Sequence, residues 1–250
     1  MDDDTDQTGM VEYAWDHGII SDELYKSIKM NCNFSSDAVS PVCDKDLDKF
    51  YDSFNYIDIY SIFTPICTSP GWSAKTTRHF PKSFSKLKRL HGQPAAGYDP
   101  CVSEYTETYL NRPDVQLALH ANVTRLYYPW THCSFVITDW IEGSPSVLPI
   151  IKKLIDGGVR VWVYSGDTDA RLPVTSTRLT MNKLGLKTDK IWMPWFTSDQ
   201  VGGWYLRYEG LTFVTIRGAG HMVPTFAPVR SLQLLHHFLV NQTLSSIPIV

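Results

Sequence analysis

LTFVTIRGAGHMVP, residues 211–224, is the stretch of sequence that decides the fold. It begins with apolar and β-branched residues, a composition that predicts a buried β-strand over Leu211–Ile216. Gly218 and Gly220 end this strand and place His221 on the turn that follows. An open α/β sheet presents a general base in this way, at the carboxyl end of a strand. The alternative is a capping histidine with a satisfied hydrogen bond, so a catalytic role requires a partner.

A helix and a strand that precede this stretch supply the candidate partner. Ser146–Ile155 is amphipathic and predicts a helix, which a pair of glycines closes before a short apolar strand at Val159–Tyr164. The loop after that strand carries Asp167 and Asp169. At the carboxyl end of a neighbouring strand, either carboxylate can accept a hydrogen bond from His221 and fix its tautomer. The structural alternative is an Asx-turn or a helix N-cap, which aspartates beside glycine and threonine also form.

Both segments resemble those of a known family. The plant serine carboxypeptidases have aspartate and histidine segments similar to GDTDARLPVTSTR and IRGAGHMVP, and the resemblance extends to GMVEYAWDHGIISDELY, GYDPC and QVGGWYLRYEGLTFV, over essentially the whole chain. It implies an α/β fold class: the C-terminal half of an α/β-hydrolase fold with a disulfide-pinned, mainly helical insertion (cap) region. It also implies that Asp169 is the triad acid and His221 the base. Asp167 would then shape the loop, and Met222 could touch substrate.

The nucleophile expected for such a triad is absent from this sequence. In the α/β-hydrolase fold the chain order is nucleophile, acid, histidine, and the nucleophile lies in a G-x-S-x-G motif. That motif does not occur here, and neither does the WNGGPG-type segment of the family. Ser165 lies on the acid's own strand and Ser144 precedes a proline, so neither has the right context. We therefore expect a fragment that holds acid and base but no nucleophile and is inactive alone.

The resemblance also predicts the domain organisation. We expect residues 1–110 to form the helical insertion and residues 111–250 to form the C-terminal part of the hydrolase core. Within the insertion, residues 75–96 are rich in lysine and arginine and contain no acidic residue. This stretch is either a solvated loop or a protease-sensitive linker, which in plant members of the family is often excised.

Composition and motifs exclude several other functions. The chain has 250 residues, 43% of them hydrophobic, and a net charge of -3, which argues against nucleic acid or an anionic membrane as a partner. No P-loop, G-x-G-x-x-G, C-x-x-C or H-E-x-x-H motif is present, so we expect no cofactor. His236 and His237 are adjacent and cannot face the same way on a helix, and we expect no metal site.

Other features indicate a secreted or vacuolar parent protein. N-glycosylation sequons occur at Asn33, Asn122 and Asn241. The first residues, MDDDTDQ, are acidic where a signal peptide would be basic, and no run approaches the ~20 apolar residues that span a bilayer. Loss of an N-terminal portion of the protein would explain why a signal peptide is missing.

The cysteines support the same interpretation. There are five, at positions 32, 43, 67, 101 and 133, and an odd number in a secreted chain leaves one unpaired. Their spacing favours a Cys32–Cys43 loop. The family pattern implies Cys67–Cys101 and leaves Cys133 unpaired here, because in the family it bridges to the N-terminal half.

The function predicted from the sequence is that of a serine carboxypeptidase, which releases C-terminal residues of peptides through an acyl-enzyme. One alternative is an acyltransferase of the same fold, which moves acyl groups from sugar esters to alcohols with the same triad. Another is a non-catalytic truncated product. The expected partners are a peptide substrate, the N-terminal half of the same enzyme and, for the intact parent, a second copy in a homodimer.

Overall fold

The computed structural model describes residues 2–36, 38–68, 98–132, 134, 136 and 144–248. The chain divides into two compact units, Met1–Thr64 with Ser144–Val250, and Pro65–Gly143. Helices before residue 65 pack with the C-terminal part of the chain. The expected domain boundary at residue 110 stays a prediction. The expected basic linker, residues 75–96, lies outside the described residues.

In the described part of the larger unit, three helices come first, and all four strands follow after residue 144. In chain order, the helices of both units are α1 (Asp3–Asp16), α2 (Asp22–Asn31), α3 (Pro41–Ser53) with a 3-10 turn at Phe54–Tyr56, α4 (Val102–Leu110), α5 (Pro113–Ala118), α6 (Leu148–Asp156), α7 (Val174–Lys183), α8 (Val223–Phe226) and α9 (Pro228–Leu239). The strands are β1 (Val161–Gly166), β2 (Thr188–Thr197), β3 (Gln200–Tyr208) and β4 (Leu211–Ile216). Among the described residues, none of these helices has the length and apolarity needed to cross a membrane.

The four strands form one sheet in the order β1-β4-β3-β2. β1 and β4 are parallel, whereas β2 and β3 form an antiparallel hairpin that extends the sheet beyond β4. Residues 161 to 166 of β1 pair one to one with residues 211 to 216 of β4. Both strands therefore end at the same level, and the loops that follow them leave from the same edge of the sheet.

Strand β4 lies at the centre of the core because every residue in it is buried. Its alternating side chains enter two apolar clusters, as the period of a β-strand requires. Val214 and Ile216 join a cluster with Trp195 and Leu234. The opposite face packs in a cluster whose buried members are Met181, Tyr208, Leu211 and Phe213. The predicted strand is confirmed, with both faces covered.

The first two helices are bounded by local capping residues. Ser21 caps α2 by accepting a hydrogen bond from the Leu24 amide, and the C-cap residue of α1 is His17, just before a left-handed Gly18. Helix α1 packs closely on α7, where a Cβ added to Gly9 would lie 2.4 Å from the backbone of Ser176. This approach joins the first helix of the chain to the helix that follows β1.

Most of the predicted helix and strand positions agree with the structure to within a few residues. The strand predicted at Val159–Tyr164 is β1, which begins two residues later, at Val161. Helix α6 begins at Leu148 rather than Ser146, because Ser146 instead forms an isolated antiparallel bridge with Asp2.

Both predicted disulfides are present. Cys32–Cys43 joins the end of α2 to α3 in the larger unit, with 5.0 Å between the Cα atoms. Cys67–Cys101 lies in the smaller unit, with a Cα separation of 4.8 Å. Cys133 lies outside the described residues.

Candidate active site

Asp169 and His221 meet at the carboxyl ends of β1 and β4. His221 Nδ1 lies 2.9 Å from Asp169 Oδ2. The Asp169 side chain is 5% exposed and that of His221 is 35% exposed. The residues are 52 positions apart in the chain, and the matched ends of the two parallel strands bring them together. The imidazole thus has a buried carboxylate on one nitrogen and a solvent-accessible surface.

The second carboxylate oxygen of Asp169 holds its own loop. Asp169 Oδ1 accepts hydrogen bonds from the amides of Arg171 at 2.8 Å and Leu172 at 3.1 Å. This is the Asx-turn that the sequence offered as the structural alternative. Asp169 therefore fits both the Asx-turn and the partner of His221, because one carboxylate oxygen orients the loop while the other contacts the imidazole.

This arrangement selects one tautomer of His221. A carboxylate can only accept a hydrogen bond, so the neutral imidazole that faces it carries its proton on Nδ1 and has a lone pair on Nε2. The carboxylate also stabilises the imidazolium that forms when Nε2 takes up a proton. The pair can therefore act as a general base and, in the reverse step, as a general acid.

The two loops that carry this pair are joined by further hydrogen bonds. We call residues 167–172 the acid loop and residues 217–222 the histidine loop. The amide of Asp167 donates to the Ile216 carbonyl at 3.1 Å, and the amide of Thr168 donates to the Ala219 carbonyl at 3.0 Å. Asp167 Oδ1 also accepts from the Gly218 amide at 2.6 Å. The parallel pairing of β1 and β4 thus continues beyond the strands.

A segment far earlier in the chain, Ile59–Ile62, contacts both loops, and we call it the bridging segment. The amide of Ile62 donates to the Thr168 carbonyl at 3.0 Å, and the Ile59 carbonyl accepts from Ala170 at 3.0 Å. Its Tyr60 carbonyl accepts from the His221 amide at 2.8 Å. The Tyr60 ring lies beside the imidazole, with 5.3 Å between ring centroids. The residues of Ile59–Ile62 show no periodicity from which this contact could have been predicted.

Helix α1 adds a third support to the acid loop. The hydroxyl of Tyr13 donates to the Asp167 carbonyl at 2.8 Å. Burial, reinforced by the charges of Asp167 and Asp169, raises the pKa of the Tyr13 phenol far above its ordinary value, so it stays a proton donor. His17 stacks on Tyr13 with 3.9 Å between ring centroids, so its ring packs against the helix that carries it.

A cavity of about 400 Å³ opens beside the bridging segment. Its lining is mainly isoleucine and aromatic, with His17 and Ser53 as polar groups; the complete set is His17, Gly18, Ile19, Ser53, Tyr56, Ile57, Ile62 and Phe63. The cavity is large enough for an apolar group of side-chain size. Neither its position nor its lining was evident from the sequence.

The structure places the remaining predicted residues as follows. Met222 follows His221 at the start of α8 and is 41% exposed. Ser165 is buried and its hydroxyl lies 2.7 Å from that of Thr177, which agrees with its exclusion as nucleophile. The three sequon asparagines, Asn33, Asn122 and Asn241, are exposed.

The described residues offer no convincing metal site. The one cluster of potential ligands among them is Cys67, Cys101 and Glu104, and its two cysteines are joined in a disulfide. A disulfide sulfur is not the thiolate that binds metals.

Comparison with known proteins identifies the class. The serine carboxypeptidase family model matches residues 1–241, so the chain belongs to the serine carboxypeptidase family. This membership confirms the resemblance inferred from the acid and histidine segments.

Particular relatives are plant proteins. Serine carboxypeptidase-like 34 of Arabidopsis thaliana is 51% identical and aligns with 99% of this chain and 52% of its own length. Serine carboxypeptidase 24 of the same plant is 46% identical over 97% of this chain and 52% of its own length. The chain therefore spans about half the length of the curated relatives it matches.

A solved structure supports the α/β-hydrolase fold. A prohormone-processing carboxypeptidase from Saccharomyces cerevisiae superposes with a TM-score of 0.63 at 15% sequence identity. The match covers 96% of this chain and 53% of the yeast chain. At this identity the likeness concerns the fold alone, and it agrees with the predicted fold class.

Proposed function

We propose that this chain supplies the acid and the base of a serine carboxypeptidase that releases C-terminal residues from peptides. The observation that carries the proposal is the 2.9 Å contact between His221 Nδ1 and the buried carboxylate of Asp169. In this proposal Asp169 orients the imidazole and His221 moves the proton. The nucleophilic serine belongs to the N-terminal half of the same enzyme, because this sequence contains no G-x-S-x-G motif.

The proposed reaction uses both sides of the imidazole. His221 Nε2 takes the proton of the serine hydroxyl as the serine oxygen bonds to the peptide carbonyl carbon. When the peptide bond breaks, the imidazolium returns this proton to the leaving amine, and the free C-terminal amino acid departs. A water molecule then attacks the acyl-enzyme by the same proton transfers and regenerates the serine. Asp169 stays ionised throughout and stabilises the imidazolium.

Co-expression with a half that carries the proposed nucleophile tests the proposal. We expect the 250-residue chain alone to give no turnover of a blocked dipeptide, since loss of a triad nucleophile costs about 10⁶ in rate. Co-expression with the part of Serine carboxypeptidase-like 34 that the alignment leaves uncovered should restore release of the C-terminal residue. In that complex, His221→Ala should lower kcat by about 10⁵-fold or more and Asp169→Asn by about 10⁴-fold.

The outcomes separate the alternatives. Turnover that survives His221→Ala would contradict the proposed base. Transfer of an acyl group from a sugar ester to an alcohol, without peptide hydrolysis, would favour the acyltransferase, because both reactions use one triad and differ in the acceptor. A folded complex without either activity would favour a non-catalytic product. Asp199→Ala, at an exposed position, is the control and should keep full turnover. Loss of turnover in this control would show that any substitution disrupts the complex.

The proposal includes the location and glycosylation of the parent protein. Exposed sequons at Asn33, Asn122 and Asn241, together with two disulfides, support a secreted or vacuolar glycoprotein. Glycosidase digestion of protein from a plant host, followed by peptide mass mapping, would identify which asparagines carry glycans.

A further inference from the structure

A second carboxylate, that of Asp167, lies in the acid loop and takes no part in the proposed proton transfers. Its Oδ1 accepts a 2.6 Å hydrogen bond from the Gly218 amide, 51 residues away in the chain. The neighbouring Ala219 amide also acts to lower the pKa of this carboxyl. Both amides lie in the histidine loop. The Asp167 side chain therefore contacts the turn that leads to His221 and not the imidazole.

The Gly218 amide lies in an exposed turn. Gly218 has a left-handed φ of +70°, so the chain turns away from the β1–β4 ladder at this residue. The carboxylate of Asp167 replaces the ladder carbonyl that a continuing strand would have supplied. Burial raises the pKa of the Asp167 carboxyl, and the hydrogen bonds from Gly218 and Ala219 oppose that rise. The carboxylate is thus partly removed from water and directed at backbone amides.

Only one residue, Gly220, separates the held turn from His221. A Cβ at Gly220 would lie 2.2 Å from the Tyr60 carbonyl oxygen, so this residue is enclosed by the bridging segment. The His221 amide donates to the same carbonyl. The backbone on both sides of Gly220 is therefore fixed, by Asp167 on one side and by Tyr60 on the other.

We propose that Asp167 is a positioning residue whose carboxylate holds the Gly218–Ala219 turn, so that His221 Nδ1 stays within hydrogen-bond distance of Asp169. The inference rests on the proposed function, and it assigns Asp167 a role distinct from that of Asp169. Asp169 acts on the imidazole directly, whereas Asp167 acts through the backbone. Displacement of a reacting group by about 1 Å can cost 10²-fold in rate, so a backbone contact of this kind can affect turnover.

The first test reads the position of His221 without requiring activity. In the 250-residue chain, long-range ¹H–¹⁵N correlation should show a proton on His221 Nδ1 and none on Nε2. Asp167→Ala should remove or broaden this Nδ1 proton signal, because the turn loses its acceptor. Asp167→Asn keeps an amide oxygen at the same place and should retain the signal. The exposed Asp199→Ala is the matched control and should leave it unchanged.

The second test measures turnover in the co-expressed complex, at a temperature where circular dichroism shows every variant folded. Asp167→Ala should lower kcat by about 10- to 100-fold with little change in KM, and Asp167→Asn should stay within about threefold of the unsubstituted complex. A role limited to stability would lower the melting temperature and leave kcat unchanged at this temperature.

The outcomes distinguish this inference from the proposed function. An unchanged Nδ1 signal and unchanged kcat in Asp167→Ala would overturn the positioning role even if the enzyme is active. An equal loss in Asp167→Asn and Asp167→Ala would also overturn it, since charge rather than hydrogen-bond acceptance would then matter. A lost Nδ1 signal in a complex without peptidase activity would support the positioning role and reject the proposed function.

Discussion

Strands β1 and β4 are parallel neighbours of equal length, yet their surroundings differ. All residues of β4 are buried between β1 and β3. In β1 only Ser165 and Gly166, at the carboxyl end, are buried, and Tyr164 is 50% exposed. Among the described residues β1 is hydrogen-bonded to β4 alone. The acid thus follows a strand that is partly exposed, and the base follows one that is fully enclosed.

This difference shows that the site does not depend on uniform burial of its strands. In β1, the buried residues are concentrated at the carboxyl end, next to the acid loop. The acid loop forms hydrogen bonds there with the histidine loop, the bridging segment and Tyr13. The comparison predicts that substitutions at the carboxyl end of β1 are as severe as those in β4, and that substitutions earlier in β1 are mild.

The largest expected effect is at Gly166, the last residue of β1. A Cβ there would lie 2.3 Å from the Ala219 carbonyl oxygen and 2.5 Å from that of Gly220, and backbone atoms cannot rotate away. We expect Gly166→Ala to lower the free energy of unfolding by about 3 kcal/mol or more. Gly185→Ala is the control, with φ of +63° and no atom within 4 Å of its Cβ, and should cost about 1 kcal/mol. Chemical denaturation of both variants measures the difference, and equal losses would contradict close approach of the two loops.

The next effect compares one substitution in both strands. Val214, in β4, is 0% exposed, whereas Val163, in β1, is only partly buried. We expect Val214→Ala to cost about 2–3 kcal/mol, from lost burial and the cavity left behind, and Val163→Ala about 1 kcal/mol. Thermal melts of the two variants provide the measurement. A cost at Val163 equal to that at Val214 would show that β1 is as enclosed as β4.

The smallest effect concerns α7, the helix that follows β1. Lys183 contacts Asp2 at 2.8 Å and Asp4 at 2.9 Å, which ties α7 to α1. Burial alone would raise the pKa of Asp2, but hydrogen bonds from Lys183, Ser146 and the Thr5 amide outweigh it and lower the pKa to about 2. A lowered carboxylate pKa stabilises the fold above the unfolded value of 3.8, and this stabilisation is lost as the pH falls towards 2.

We therefore expect Lys183→Met to cost about 0.5–1 kcal/mol at pH 7 and almost nothing near pH 2. Unfolding followed by tryptophan fluorescence across this pH range tests the change. Lys187→Met removes a fully exposed pair with Glu209 and is the control, with no expected effect. A cost for Lys183→Met that persists at low pH would point to lost packing of the lysine stem rather than to the ion pair.

Much of the local structure was predictable because its signals are short-range. The apolar run Leu211–Ile216 became β4, and the amphipathic segment Ser146–Ile155 became α6. The bridging segment was not predictable in the same way. Ile59–Ile62 has no periodicity, and its role depends on backbone contacts with residues more than one hundred positions away.

The sequence by itself determined the strand that carries His221, because hydrophobic period is written in consecutive residues. Its resemblance to a known family gave the family and the expectation that Asp169, rather than Asp167, is the partner of His221. Only the tertiary structure decided that both strands end at one level, that Asp167 holds the histidine loop, and that Tyr60 and Tyr13 support the two loops. The physical reason is that each of these contacts has a backbone amide or carbonyl as one partner. Backbone amides and carbonyls are the same in every residue but proline, so their partners are set by how the chain packs.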